Sequence, residues 1–257
     1  MKNRHKYPEF IARFYDVIYD RIRSDTDYDY YMKKILNCKG PILEIGVGTG
    51  RFFTEARKRE ADIYGVDISD EMVKKLIGKL DKKDHHRIKV QDMVKLDMEK
   101  KFKLIIGPFR VFSHMITTRE QINMLNRVND HLLPGGIFIF DLFIPDPQII
   151  KQGINNVVDF EGEYEKGRKL KRIVSAKANL VNQVNKVEMK IIWDENGVEK
   201  SEKWNFTMRY FFYHELKHLI ARSDLELVNI YGDYYENKLS EKSKDFIVVC
   251  KQQKLQE

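Results

Sequence analysis

The residues best suited to chemistry are concentrated in the segment Glu44-Ile45-Gly46-Val47-Gly48-Thr49-Gly50-Arg51. A buried-strand run, Ile42-Leu43-Glu44-Ile45, ends there in three alternate glycines, and a helical pattern follows. Glycine is needed where the backbone takes positive φ or a ligand approaches closely, and a helix start offers free N–H groups. The segment is built to hold a ligand. A dinucleotide fingerprint requires Gly-x-Gly-x-x-Gly, and counting from Gly46 places Arg51 in the last slot, where a side chain hampers helix–strand packing. Glu44, just before the loop, suits a ligand carrying positive charge better than one carrying pyrophosphate. Asp67, followed by Ile68, ends the next strand pattern and is placed to accept from ribose hydroxyls. Asp92 and Met93 follow a third strand, where the acid can accept from an adenine amino group while the methionine packs on the ring.

These residues need a scaffold that brings successive strand ends together. Helical periodicity rich in tyrosine runs from about Pro8 to Asn37, and Gly40-Pro41 breaks it. After the glycine loop a helix to about Arg59 precedes a strand at Ile63 to Val66, then a helix capped by Ser69 that carries Met72. Strands follow at Ile88 to Val90 and Phe102 to Ile106, and a helix from Gln121 to Leu132, with Ile122, Leu125, Val128 and Leu132 on one face, is ended by Pro134-Gly135-Gly136. Ile137 to Ile144 reads as a fifth strand. Such alternation implies a parallel sheet flanked by helices. Beyond Pro145-Asp146-Pro147 the period changes to two: Val187 to Trp193 and Trp204 to Tyr210 alternate around a turn at Asp194 to Gly197, and Arg168 to Ala178 joins them in a small antiparallel sheet. One apolar face of that sheet must be covered by the core or by a partner subunit. A helix near His214 to Arg222 and strands at Leu225 to Val228 and Phe246 to Val249 return to the main sheet.

S-adenosylmethionine (SAM), a nucleoside bearing a sulfonium and an ammonium, meets the demands of Glu44, Asp67 and Asp92 together. From about Ile42 to Lys251 the sequence resembles the class I SAM-dependent methyltransferases, on Glu-x-Gly-x-Gly-x-Gly (Glu44 to Gly50), Asp67, Asp92-Met93 and Leu132-Leu133-Pro134-Gly135-Gly136. The resemblance implies an α/β fold: a Rossmann-like seven-stranded, mostly parallel sheet with helices on both faces and the last strand antiparallel. It also implies that Glu44, Gly46, Gly48 and Gly50 lie near the methionyl part, Asp67 binds the ribose, and Asp92 and Met93 flank the adenine, with Arg51, Ile68, Met72, Gly107 and Phe109 as further cofactor-binding residues. Tyr15-Asp16-x-x-Tyr19, Ser113-His114-Met115 and the late insert resemble the small-molecule branch that includes sugar N,N-dimethyltransferases. That similarity divides the chain into an N-terminal helical lid (1–40), a SAM-binding core (41–144 and 212–251) and an antiparallel insert (145–211). It implies that the insert shapes the acceptor pocket or makes a homodimer, and that S-adenosylhomocysteine is the product.

Methyl transfer from a sulfonium is mainly a matter of alignment, so a dedicated catalytic group is optional. His114 is the candidate base, lying just past strand four with a pKa suited to proton removal near neutrality. Tyr15 and Tyr19, four apart on one helical face, could close over donor or acceptor, and Arg110 could pair with an acidic acceptor. His214-Glu215-Leu216-Lys217-His218 fits a zinc-peptidase pattern but lacks a third ligand and falls on a core helix, so no metal site is expected.

Gly107-Pro108-Phe109-Arg110 has no acid or amide of the kind that amino-methylating nucleic-acid enzymes carry after strand four. Neither Cys38 nor Cys250 is placed as a cytosine-C5 nucleophile. A small molecule therefore leads as acceptor, ahead of RNA or protein, or of a regulator that binds SAM without catalysis. The chain has 257 residues, 42% hydrophobic and 33% charged, and a formal charge of +7 spread along it. No run reaches the roughly 18 apolar residues of a membrane span. The basic start Met1-Lys2-Asn3-Arg4 precedes no signal-length apolar run, and two distant cysteines suggest no disulfide framework, which together point to the cytoplasm.

Overall fold

A computed structural model describes residues 6–23 and 25–253. Residues 1–5, the start of the expected lid, lie outside the described residues. Helices α1 (Glu9–Ile22) and α2 (Thr26–Asn37) divide the tyrosine-rich stretch. Then β1 (Ile42–Ile45), α3 (Arg51–Lys58), β2 (Ile63–Asp67), α4 (Asp70–Ile77), β3 (Ile88–Val90), β4 (Phe102–Gly107), α5 (Thr118–His131) and β5 (Leu132–Phe143) alternate. A short helix α6 (Pro147–Gln152) leads into β6 (Ile154–Glu165), β7 (Arg168–Asn179), β8 (Val184–Glu195) and β9 (Val198–Arg209), and α7 (Tyr213–Ala221), β10 (Leu225–Tyr231) and β11 (Asp245–Gln252) return to the core.

The main sheet runs β10-β11-β5-β4-β1-β2-β3, parallel except for β11, which is antiparallel to both neighbours. Its strands are apolar on both faces because helices cover both. Ile42, Ile106 and Ile139 pack against α2, α3 and α4 through Tyr31, Phe53 and Leu76. Leu43, Ile105 and Phe138 face α5 and α7 through Leu125, Val128 and Leu219.

Helix α5 differs from expectation at both ends. Helix α5 starts three residues before Gln121 because Thr117 and Glu120 form a reciprocal cap, with Thr117 N–H donating to Glu120 Oε2 at 2.9 Å. It ends at His131, and Leu132 opens β5 instead of closing the helical face. Pro134-Gly135-Gly136 forms an irregularity within β5, since β4 pairs Phe102 with Leu132 and then Leu104 with Ile137.

The insert is a four-stranded meander, β6-β7-β8-β9, one strand larger than the alternation shows. Strand β6 escapes detection because Asn155 to Asp159 is exposed and its pairing slips register, so it carries no period. The β8–β9 turn is Asn196-Gly197, both at positive φ, as a two-residue hairpin requires. The apolar face of the insert is covered from within the chain: Phe10, Phe14 and Ile18 of α1 pack on Leu170, Ile191 and Trp193. Helix α1 is thereby the bridge between insert and core. Phe14→Ala should cost about 3–5 kcal/mol. Hydrogen exchange should rise in α1 and in β7–β8 while β1, β4 and β5 keep their protection, and a uniform rise would contradict this division.

Candidate functional site

The glycine loop sits at the C-terminal ends of the parallel strands, between β1 and α3. Gly46, Gly48 and Gly50 have φ of 72°, 55° and 87°. A Cβ on Gly46 would strike Val111, and one on Gly50 would strike Leu76. At Gly48 only the Gly46 carbonyl comes near, at 3.9 Å, so the backbone there lies bare to the adjoining cavity.

Asp67 ties this loop to the end of β2. Gly48 N–H donates to one carboxylate oxygen at 2.9 Å and Ser69 N–H to the other at 2.8 Å. Burial raises its pKa, and these N–H groups act in the opposite direction. Each oxygen keeps a lone pair for a further donor. Asp92 accepts from Val94 N–H at 2.9 Å and starts the turn that buries Met93.

Glu44 is 2% exposed, and its Oε2 has no hydrogen-bond partner among the described residues. Burial raises its pKa well above the ordinary carboxyl range and Asp67 adds to the rise, against Arg51 and the Phe53 N–H. A buried carboxyl oxygen without a donor is unfavourable until a cation or donor meets it.

Helices α1 and α2 close over the loop. Thr49 donates to Asp16 at 2.6 Å, and Lys79 reaches both Asp16, at 2.7 Å, and the Thr49 carbonyl, at 2.9 Å. Arg51 grips Asp27 of α2 through two nitrogens, at 2.6 and 3.0 Å. Arg23, just past α1, donates to the Tyr15 hydroxyl at 2.6 Å, and its guanidinium lies 3.9 Å from the Phe109 ring centre and 4.4 Å from that of Tyr19. Aromatic faces hold this cation.

The turn after β4 is set by a residue on β5. Asp141 is fully buried and accepts from Phe109 N–H at 2.8 Å, Arg110 N–H at 3.1 Å and the Tyr31 hydroxyl at 2.8 Å. Burial raises its pKa, and Arg110, Tyr31 and Phe109 oppose the rise. Phe109 and Arg110 both take positive φ, at 57° and 62°.

Glu44, Gly46, Gly48 and Arg51 line one cavity with Asp67, Ile68, Met72, Asp92, Met93 and Phe109, and Tyr15 and His114 join them. His114 ends a short helical turn after Arg110, its ring 6.4 Å from that of Phe206 on β9. Gly50 and Gly107 do not line it: Gly50 packs on Leu76, and Gly107 lies under Val111 and Phe140. Tyr19 and Arg110 line a second cavity, and Arg110 pairs with Asp245 at 2.9 Å. Sequence reasoning missed Arg23 and Asp141. Asp141 left a signal as the charge that interrupts the apolar run of β5, whereas Arg23 left none. The His214 to His218 segment lies on α7, where Glu215 accepts from Arg209 and from Phe212 N–H.

Residues 42–136 match the methyltransferase domain family. The malonyl-[acyl-carrier protein] O-methyltransferase 2 of Ilyobacter polytropus is 30% identical over 107 residues, 41% of this chain and 40% of that protein. The chain spans about half the length of the curated relatives it matches. A SAM-dependent methyltransferase from Clostridium acetobutylicum superposes with a TM-score of 0.73 at 17% identity, covering 95% of this chain and 98% of that one. The SAM-bound amino pentose methyltransferase CalS10 of Micromonospora echinaspora does so with a TM-score of 0.66 at 17% identity, covering 97% and 99%. The fold is the methyltransferase fold. No helix among the described residues is long and apolar enough to cross a membrane.

The raised pKa of Glu44 makes stability depend on pH. The folded state holds this proton more tightly, so stability of the unliganded chain falls as pH rises from the ordinary carboxyl range through the raised folded value. Glu44→Gln removes that loss. It should melt higher than wild type above about pH 5, by a margin that widens with pH. Melting curves between about pH 4 and 8 test this, and a constant margin would count against it.

Proposed function

We propose that the protein transfers a methyl group from SAM to a nitrogen or oxygen atom of a small molecule, leaving S-adenosylhomocysteine. One observation carries the reading: a single cavity presents the buried carboxyl of Glu44, whose Oε2 has no partner, and the aromatic-held guanidinium of Arg23 beside the strand-end acids Asp67 and Asp92. This set fits SAM. Glu44 suits the ammonium, Arg23 the carboxylate, Asp67 the ribose hydroxyls, and Asp92 with Met93 the adenine, while Gly48 lets the ligand lie against bare backbone. SAM when bound supplies a methyl already activated on a sulfonium. The chain's own task is to align the acceptor and exclude water, which in well-oriented cases is worth up to ~7–11 kcal/mol. Tyr15 and Phe109 wall the cavity, and His114 takes the proton from the acceptor. In this reading residues 1–40 form the lid, 41–144 and 212–251 the SAM-binding core, and 145–211 the insert that shapes the acceptor pocket or joins two copies. The names of similar proteins support both acceptor atoms, one being an O-methyltransferase and another a sugar N-methyltransferase.

Calorimetry with S-adenosylhomocysteine tests the donor site. Wild type binds it. Arg23→Leu should weaken it by about tenfold or more yet leave methylthioadenosine, which lacks the amino-acid group, unaffected. No binding of either nucleoside to wild type would end the proposal. In a turnover assay with an identified acceptor, His114→Gln should lower kcat by about a hundredfold at unchanged SAM affinity, and unchanged kcat would remove His114 from the reaction.

A further inference from the structure

The second cavity adjoins the first. It is bounded by the junction of α1 and α2, the Phe109–Arg110 turn, residues 232–244 between β10 and β11, and Asp245 at the start of β11, and it shares Arg23 and Phe109 with the donor cavity. Its charges are unevenly matched. Every acid on its wall is engaged: Asp27 by Arg51, Asp245 by Arg110, and Asp233 by the N–H groups of Tyr235 and Asn237 together with the Asn237 amide. Apart from Arg110, the cations are not. Lys238, Lys242 and Lys244 have no carboxylate within 4.0 Å among the described residues, and Arg23 has only aromatic rings and the Tyr15 hydroxyl, its Nε being buried without a partner. Tyr234, Ser240 and Ser243 add hydroxyls to the same wall.

We infer that this cavity recognises the methyl acceptor through an anionic group, a phosphate or a carboxylate. The inference rests on the methyltransferase reading and names the class of its acceptor. Cations with no partner raise the local concentration of an anion and can each give it a charge-assisted hydrogen bond. Lysines act as rotatable point charges, which suits a phosphate as well as a carboxylate. Arg110, the residue expected to read an acidic acceptor, is already neutralised by Asp245, so the task passes to the lysines. An acceptor anchored here extends past Phe109 to place its nucleophile in the donor cavity.

Titration of the full chain with inorganic pyrophosphate and with succinate, with and without S-adenosylhomocysteine, tests this. At least one probe should bind with unit stoichiometry. Lys242→Ala combined with Lys244→Ala should weaken it by about tenfold or more without changing S-adenosylhomocysteine affinity. Lys82→Ala with Lys83→Ala, which removes equal charge from an exposed turn elsewhere, should leave it unchanged. Binding of pyrophosphate alone assigns a phosphate, and of succinate alone a carboxylate. Binding of neither, or equal loss in both double variants, overturns the inference. A wild type that fails to bind S-adenosylhomocysteine defeats the methyltransferase reading instead, and the two failures are separate measurements.

Discussion

Asp141 puts a carboxyl group where no water reaches it and joins it to three donors from two other parts of the chain. A non-glycine residue in the left-handed region costs of order 1–2 kcal/mol, and here two adopt it in succession. The conformation persists because a single carboxylate takes both freed N–H groups. From it follow the placement of the Phe109 ring between the two cavities, the turn of Arg110 toward Asp245 on β11, and the anchoring of α2 through Tyr31. Removing any one donor would leave a buried acceptor under-satisfied, so these parts hold one another in place.

Helix α1 couples the two halves of the molecule in a comparable way. One set of its residues, Phe10, Phe14 and Ile18, seals the inner face of the insert. Asp16 and Tyr15 turn the other way, to Thr49, Lys79 and Arg23 around the glycine loop. A sheet that would otherwise expose an apolar face is therefore completed by the same helix that covers the donor cavity. Burial of the insert and closure of the site depend on one packing event.

The site is electrostatically incomplete by construction. Glu44, whose buried carboxyl is held toward its neutral form, and Arg23 line one cavity with no ion pair between them. In the proposed reading a zwitterionic ligand end satisfies both at once. The adjoining cavity repeats the arrangement with one sign only.

The cavity around the glycine loop was legible in the primary structure because its residues are set by local rules. Gly46, Gly48 and Gly50 meet backbone and close-approach requirements, and Glu44, Asp67 and Asp92 stand at the ends of strands whose period marks them, so sequence distance stood in for spatial order. The parallel sheet followed from the same alternation, and the antiparallel last strand from family resemblance alone. What the tertiary structure decided are the relations that no period encodes: the exposed, register-slipping strand β6, the reach of Arg23 to Phe109 across about 86 residues, and the convergence of Lys238, Lys242 and Lys244 on the end of α1. Gly50 and Gly107 moved from ligand contact to packing for the same reason. A glycine's neighbour in space, Leu76 or Val111, is fixed by how helices and strands stack, and the one-dimensional pattern carries no record of it.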